Sequence, residues 1–166
     1  MKTFTRPLLV IALACALAAC HVPDTIMADG GIKLYGDVVT LHADGAPEAD
    51  IAADGALTID GKTVATTPAE RDLLMQYNRS VRSVRETGLA MGKTGIKMAA
   101  KAITATASST SDKADAAADT MQTLTLGICK ASAAIKSAQD QLATQLVAFK
   151  PYASIMSTSE VADCAK

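Results

Sequence analysis

A long hydrophobic repeat in the centre of the chain constrains the fold more than any other feature. Small or apolar residues recur alternately three and four positions apart, at Leu74, Tyr77, Val81, Val84, Gly88, Met91, Gly95, Met98, Ala102 and Ala105. A mean spacing of about 3.5 residues is typical of helices packed side by side. The small residues of the second half would let another helix approach closely, from this chain or from a second copy. Because each glycine weakens a helix by roughly 1 kcal/mol, residues 68–107 form either one helix or two that meet near Gly88.

A second apolar stripe predicts the partner of this helix. Between Asp112 and Phe149 one side of a helix carries Leu124, Ile128, Ala131, Ile135, Ala138, Leu142 and Phe149. We expect this helix to stop before Pro151, because the residue that precedes a proline disfavours the helical conformation. The low-complexity stretch 104–111 connects the two helices, and together they predict an antiparallel helical hairpin. The chain has no tryptophan and only 3% aromatic residues, which favours closely packed aliphatic helices.

Turn signals before the helices predict β structure. Asp-Gly pairs at Asp44-Gly45, Asp54-Gly55 and Asp60-Gly61 are natural turns, since glycine accepts positive φ. They separate four candidate strands at 32–43, 49–53, 56–59 and 62–65. The clearest prediction is a hairpin around Asp60-Gly61. The predicted fold class is therefore α+β, with a small N-terminal antiparallel β hairpin unit followed by a mostly α-helical antiparallel helical hairpin.

The first residues have the layout of a secretory signal. Lys2 and Arg6 precede an apolar run at 8–17, which is well short of the roughly 20 residues that span a bilayer as a helix. The sequence from Leu17 to Cys20 resembles the lipobox of bacterial lipoproteins, in which the cysteine becomes the lipid-bearing first residue of the mature protein. The alternative is an ordinary secretory signal that happens to end near a cysteine. In the lipoprotein family an Asp after that cysteine often retains the protein at the inner membrane; His21 stands here, so we expect the outer membrane, facing the periplasm.

The remaining cysteines predict a disulfide. Cys15 leaves with the signal and Cys20 carries lipid, so only Cys129 and Cys164 remain. A pair of cysteines in an oxidising compartment favours a disulfide, which would close a loop of about 35 residues and stabilise the fold by about 3 kcal/mol. Two free thiols or half of a metal site are the alternatives, although no histidine lies close to either cysteine in the sequence.

These features give a predicted organisation in six parts. They are a lipoprotein signal peptide at 1–19, a tether at 20–30, a small β module at 31–66, a helical segment at 67–107, a linker at 108–111, and a helical segment with the disulfide at 112–166. Thr67 and Glu70 form a capping-box pattern at the start of the first helical segment, and Ser157 and Glu160 repeat the pattern near the C-terminus.

The stretch from Ala56 to Tyr77 resembles the uncharacterised YggN-like envelope proteins of proteobacteria. The matching positions are Leu57, Ile59, Gly61, Lys62, Val64, Arg71 and Tyr77. The resemblance covers about a third of the mature chain and implies a signal, a small N-terminal β segment and a long helical tail. The lipobox and the Ala-rich tail depart from that pattern. Because the function of those proteins is not established, no functional residue is carried over.

The sequence contains no recognisable catalytic or cofactor motif. His42, close to Asp44, is the candidate base of a small hydrolase or ligand-processing enzyme, but no G-x-S-x-G nucleophile elbow is present. An acidic cluster lacks the spacing of an EF-hand loop; it consists of Asp44, Glu48, Asp50 and Asp54. We therefore expect no enzyme, no cofactor and no metal, with the hydrolase kept as an alternative.

Charge is distributed unevenly along the chain. Residues 20–69 carry two basic and eight acidic side chains, whereas 70–101 carry seven basic and three acidic. A basic ridge at four-residue spacing includes Arg85, Lys93, Lys97 and Lys101, with Leu89 between. It either meets anionic headgroups or polymer, or is a solvated face paired in part with the acidic β module; the second interpretation is the more ordinary one.

The predicted function is a non-enzymatic, lipid-anchored envelope protein with a structural or partner-binding role. Its expected partners are the membrane, through lipid on Cys20, and another envelope protein, anionic lipid or polymer; the seam also allows a homodimer. Without residues 1–19 the chain has 14 basic and 17 acidic side chains, which argues against nucleic acid as a partner. A carrier of apolar ligands between the helices is a further alternative.

Overall fold

A computed structural model of the protein describes residues 24–104 and 111–164. Six short strands come first and pair, each antiparallel to the next, in chain order as one sheet. They are β1 Thr25–Met27, β2 Ile32–Tyr35, β3 Val38–Leu41, β4 Ala49–Ile51, β5 Leu57–Ile59 and β6 Lys62–Val64. The helices follow, so the predicted α+β class with an N-terminal antiparallel β unit is confirmed.

The β unit has more strands than the sequence predicts, because two of its turns lack a strong sequence signal. The single strand predicted over 32–43 is in fact β2 and β3, which reverse direction at Gly36 with φ of +58°. Part of the predicted tether also belongs to the sheet, since β1 pairs with β2 and a short 3₁₀ turn at Ala28–Gly30 joins them. The turns predicted at Gly45, Gly55 and Gly61 are present, each with positive φ at the glycine.

The two faces of the sheet differ in burial, as strand alternation requires. The fully buried side chains on one face are Ile32, Leu34, Val39, Leu41, Ala49, Ile51 and Leu57. The other face carries one cross-strand row that runs through Ile26, Lys33, Thr40, Asp50, Thr58 and Thr63. Within that row the Thr40 hydroxyl donates to the Asp50 carboxylate at 2.7 Å. The helices therefore cover a single face.

Two long helices form the predicted antiparallel hairpin, and the first is continuous through Gly88. They are α1 Pro68–Thr104 and α2 Ser111–Gln145. At the start of α1 the Thr67 amide donates to Glu70 at 2.6 Å, and the Glu70 amide donates back to Thr67 at 3.3 Å. This reciprocal pair is the predicted capping box. Residues 105–107 and most of the predicted linker at 108–111 lie outside the described residues, whereas Ser111 is already helical.

The second helix ends at Gln145, earlier than predicted. Leu146 has extended φ and ψ of −109° and 104°, and a 3₁₀ segment, Val147–Tyr152, follows. Pro151 lies inside that segment; in an α-helix its ring would clash with the carbonyl four residues earlier. Because of this break, the Phe149 side chain lies in the core. A short helix, α3 Thr158–Asp163, follows, with the capping box predicted between Ser157 and Glu160.

The core lies between the buried sheet face and the base of the helical hairpin. The core residues that follow the sheet in the chain, all at most 8% exposed, are Leu74, Tyr77, Val81, Ile135, Ala138, Leu142, Leu146, Phe149, Tyr152 and Met156. Tyr77 meets Phe149 edge to face with ring centroids 6.2 Å apart, and Phe149 lies 5.6 Å from Tyr152. Three of the five aromatic residues of the chain therefore meet at one place.

Two fully buried amides fasten the helices to the rest of the fold. Asn78 Nδ2 on α1 donates to the carbonyls of Asp37 and Ile51, both at 2.9 Å. Gln139 on α2 donates to the carbonyls of Ala153 and Met156, at 2.6 and 3.0 Å, and accepts from the Met156 amide at 3.1 Å. Buried polar groups are stable when paired in this way. Sequence periodicity gave no indication of either residue.

A disulfide joins α2 to the residue that follows α3. Cys129 and Cys164 are bonded with their Cα atoms 5.3 Å apart, within the usual range for such bonds. The predicted pairing is therefore present, and it holds the terminal turn against the middle of α2.

Candidate functional site

Beyond the sheet the two long helices continue as an arm, defined here as residues 86–104 of α1 and 111–130 of α2. Among the described residues, the contiguous core on α1 reaches Val84 and on α2 begins at Ile135. Within the arm the helices contact each other; a β-carbon at Gly127 would lie 3.6 Å from Thr87 Cγ2. The arm is therefore not covered by the sheet: its helices contact each other and, at Cys129, the end of α3.

The small-residue seam is not where the helices of the arm meet. A β-carbon added at Gly88 or Gly95 would have nothing within 4 Å. Residues seven apart on a straight helix differ in direction by only about 20°, so Gly88 and Gly95 continue the row of Leu74 and Val81. That row faces the sheet at the base and is uncovered once the sheet ends. The expectation of close helix packing on these glycines within the chain is therefore wrong.

The same side of the arm exposes apolar and basic residues. Ile96 is 72% exposed and Leu89 52% exposed, and Lys93 and Lys97 are exposed beside them. At about 100° per residue, Ile96 points in the direction of Asn78, eighteen residues earlier, and the other three lie within about 100° of it. Because Asn78 bonds to the sheet, Leu89 and Ile96 point to the side that the sheet covers lower down, and Lys93 and Lys97 lie along one border of that side. We call Leu89, Lys93, Ile96 and Lys97 the arm face.

The predicted basic ridge divides into a paired residue and an exposed part. Arg85 is not free: its Nη2 lies 3.5 Å from Asp24 Oδ1, and both side chains are 37% exposed. Lys93 and Lys97 belong to the arm face, while the Lys101 side chain lies outside the described part of the chain. The anionic-surface interpretation therefore applies to Lys93 and Lys97, and the paired interpretation to Arg85.

Three arginines of α1 contact three aspartates at one end of the strands of the sheet. Besides Arg85 with Asp24, Arg82 lies 3.4 Å from Asp37 and Arg71 lies 2.7 Å from Asp54. The aspartates belong to the start of β1, the β2–β3 turn and the β4–β5 turn, which all lie at the same edge of an antiparallel meander. The charge asymmetry of the sequence is thus explained in large part by contacts within the fold.

Asp54 is held in its ionised form by its neighbours. The Ala56 amide donates to Asp54 Oδ1 at 3.1 Å, and the Arg71 guanidinium adds a charge and a hydrogen bond at 2.7 Å. These contacts, above all the Ala56 amide, lower the pKa of Asp54 below 3.8 against the opposing effect of desolvation. Structural contacts at a turn therefore explain the lowered pKa of Asp54.

His42 forms a pair with Glu48 near the end of β3. Its Nε2 lies 2.8 Å from Glu48 Oε2, and the histidine side chain is 39% exposed. Its Nδ1 is buried and has no hydrogen-bond partner among the described residues. Nε2 therefore faces Glu48, whereas Nδ1 faces the interior without a partner among these residues.

The predicted acidic cluster is dispersed among separate partners. Glu48 contacts His42, Asp50 accepts from Thr40, and Asp54 contacts Arg71. Within the described ranges no group of three or more His, Cys, Asp or Glu side chains could hold a metal ion.

Two open grooves follow the side of the hairpin away from the sheet, near its base. One of about 440 Å³ is lined by Gln76, Arg79, Ser80, Ser83, Gly127, Lys130 and Ala131. The other, of about 590 Å³, shares Gln76 and Arg79 and includes Asp72, Gln141 and Gln145. Both are open to solvent, unlike the enclosed pockets that bind small molecules. Sequence periodicity gave no signal for these grooves.

The chain belongs to a family of proteins of unknown function. The family described as "Protein of unknown function (DUF2884)" matches residues 25–141, which include the whole sheet, α1 and most of α2. No curated protein and no solved structure matches the chain. In residues 24–104 and 111–164, no helix is both long enough and apolar enough to cross a membrane.

Proposed function

We propose that this protein is a non-enzymatic component of the bacterial cell envelope, anchored by lipid on Cys20, with a structural or partner-binding role. The observation that carries the proposal is that Cys20 lies shortly before the first strand in the sequence. The first strand begins at Thr25, so cleavage before Cys20 would remove no strand or helix of the described structure. Only residues 21–24 would then connect the lipid-bearing Cys20 to the first strand.

The cysteine pair supports an envelope location. Disulfides persist in the periplasm and at cell surfaces and are rare in the cytosol. The bond between Cys129 and Cys164 closes a span of 35 positions. The YggN-like resemblance agrees with the same location, and His21 after the anchor cysteine favours the outer membrane.

The alternative of a hydrolase that uses His42 is less well supported. Of the two ring nitrogens of His42, Nδ1 is buried and Nε2 contacts Glu48. A general base has to be within hydrogen-bond reach of the proton that it removes. The carrier alternative also has less support, since the grooves between the helices are open to solvent and would not enclose an apolar ligand.

The anchor is tested by the intact mass of the protein extracted from membranes, with and without reduction and alkylation. We expect a mass that begins at Cys20 and includes acyl chains, and alkylation of Cys129 and Cys164 only after reduction. The matched control is Cys20→Ser, which should lose the acyl mass while it retains the disulfide. An unacylated wild-type mass would overturn the anchor. Freely reactive thiols at 129 and 164 would remove the support that the disulfide gives to an envelope location.

A further inference from the structure

We propose that the arm face, Leu89, Lys93, Ile96 and Lys97, lies against the surface of an anionic lipid bilayer when the protein is anchored. This inference rests on the proposed lipid anchor and deepens it, because it assigns the side of the protein that the membrane contacts.

The first step is the distance from the anchor to the fold. Three residues separate Cys20 from Asp24, so at about 3.5 Å per residue the two lie at most about 14 Å apart. The lipid would therefore hold Asp24 close to the bilayer, whatever path the intervening residues take.

The second step is the position of Asp24 on the protein. Its carboxylate contacts Arg85, the last residue of α1 before the arm, and it also accepts from the Gly36 amide at 2.8 Å. Arg85 lies one helical turn before Leu89 and about 16 Å along the axis from Ile96, and it points to within about 40° of both. The anchor thus attaches at the root of the arm and on the side of the arm face.

The third step is the chemistry of that face. Leu89 and Ile96 are exposed apolar side chains, and the cations of Lys93 and Lys97 border them on one side. From residue 87 to 104 the chain has no Asp or Glu. Helices that lie in a membrane interface combine these features: the apolar side chains enter the boundary of the acyl region and the lysines reach the phosphates. Each lysine near an anionic surface strengthens the contact by about fivefold.

Charge also decides between a bilayer and a second copy of the chain. A symmetric dimer through the arm face would place Lys93 and Lys97 of one copy near those of the other, since a two-fold interface uses the same patch on both. Like charges facing one another disfavour such a pairing. An anionic bilayer complements the same residues.

The test uses the absence of tryptophan from the chain. In acylated full-length protein reconstituted in vesicles of phosphatidylethanolamine and phosphatidylglycerol, Ile96→Trp should be quenched by brominated lipid and shift its emission to the blue. The matched control is Leu126→Trp, at a position of similar exposure (59%) on α2. Position 126 lies about 180° around α2 from core residue Ile135, so its emission should change little. Lys93→Gln with Lys97→Gln, or vesicles of phosphatidylcholine alone, should remove the quenching at position 96.

The two proposals fail in different ways. Acylated protein that floats with the vesicles but shows no quenching at position 96 would overturn the arm face while the anchor stands. A blue shift without quenching, together with a crosslinked dimer, would identify a second copy as the occupant and overturn the bilayer. Protein without acyl chains would overturn the anchor itself. If Ile96→Trp is equally quenched in phosphatidylcholine, the charged part of the inference is wrong.

Discussion

Arg85 on α1 and Asp24 at the start of the sheet are in contact at 3.5 Å, although 61 positions separate them in the sequence. Together with Arg82–Asp37 and Arg71–Asp54, this contact aligns the basic first half of α1 with one acidic edge of the sheet. Each of these side chains is more than a third exposed, so solvent screens the pairs and each contributes little to stability. Their role is to orient the helix along the edge, and the apolar core supplies the stability.

The Asp54 carboxyl should titrate below its ordinary range in the folded protein. The bond from the Ala56 amide is the largest cause, and Arg71 adds to it. A lowered pKa means that Asp54 stabilises the fold above pH of about 4, and that this stabilisation is lost as the pH falls through the folded pKa. Carbon-detected NMR titration of the carboxyl group measures the value directly.

Two arginine variants separate the causes at Asp54. Arg71→Gln should raise the pKa of Asp54 only partway, because the Ala56 amide still donates. Arg82→Gln should leave the pKa of Asp54 unchanged, because Arg82 contacts Asp37. A full return to the ordinary value in Arg71→Gln would show that the backbone bond contributes nothing.

The two buried tyrosines of the core should respond in opposite directions to loss of the hydroxyl. Tyr77 is fully buried and its hydroxyl has no partner among the described residues, whereas the Tyr152 hydroxyl donates to the Pro47 carbonyl at 2.7 Å. Removing an unpaired buried hydroxyl relieves a penalty of about 1–3 kcal/mol, and removing a paired one loses about 1 kcal/mol. Urea unfolding should therefore show Tyr77→Phe as neutral to stabilising and Tyr152→Phe as destabilising. Destabilisation by Tyr77→Phe would mean that its hydroxyl is paired.

Burial also makes Tyr77 a source of alkaline sensitivity. Desolvation raises the pKa of its phenol, so the folded state holds the neutral form. The stabilisation is complete below pH of about 10 and is lost as the pH rises above the ordinary tyrosine value. Tyr77→Phe should accordingly unfold at a higher pH than the wild type when the alkaline transition is followed by circular dichroism.

Local signals predicted the elements, and long-range packing decided the details that sequence missed. The Asp60-Gly61 hairpin, both capping boxes and the buried stripe of α2 follow from turn chemistry and helical period alone. The strand β1 is three residues long, and only its pairing with β2 distinguishes it from a tether. Asn78 and Gln139 are the same residue types that are common on protein surfaces; their burial depends on carbonyls 14 to 41 positions away.

The candidate site shows the same division. The sequence indicated Lys93 and Lys97 as a basic ridge but also included Arg85, since spacing along a helix cannot show where a sheet ends. The end of the sheet changes the row of Leu74 and Val81 from core to surface. For the same reason the interpretation of Gly88 and Gly95 as a packing seam within the chain is wrong.

Gly55 should be more sensitive to a methyl group than another turn glycine. Both Gly55 and Gly45 have positive φ, of +78° and +75°, but only at Gly55 would a β-carbon meet neighbours, with the Arg71 carbonyl oxygen at 2.6 Å. Gly45→Ala should lower stability by about 1–2 kcal/mol through backbone strain alone. Gly55→Ala should lower it further, because the β4–β5 turn has to move away from α1. Thermal unfolding of both variants compares them, and equal losses would show that the turn yields freely.

The C-terminal turn should detach in two stages. Replacing both cysteines, Cys129→Ser with Cys164→Ser, removes the bond between α2 and the end of α3, and should lower stability by about 3 kcal/mol in the chain-entropy treatment. The Met156 amide should nevertheless stay protected, because Gln139 Oε1 accepts from it at 3.1 Å independently of the disulfide. Hydrogen exchange should therefore show lost protection within α3 and retained protection at Met156. Gln139→Leu with the disulfide intact is the matched variant, and there the Met156 amide should exchange faster. If the cysteine variant also exposes Met156, the disulfide rather than Gln139 holds the whole segment in place.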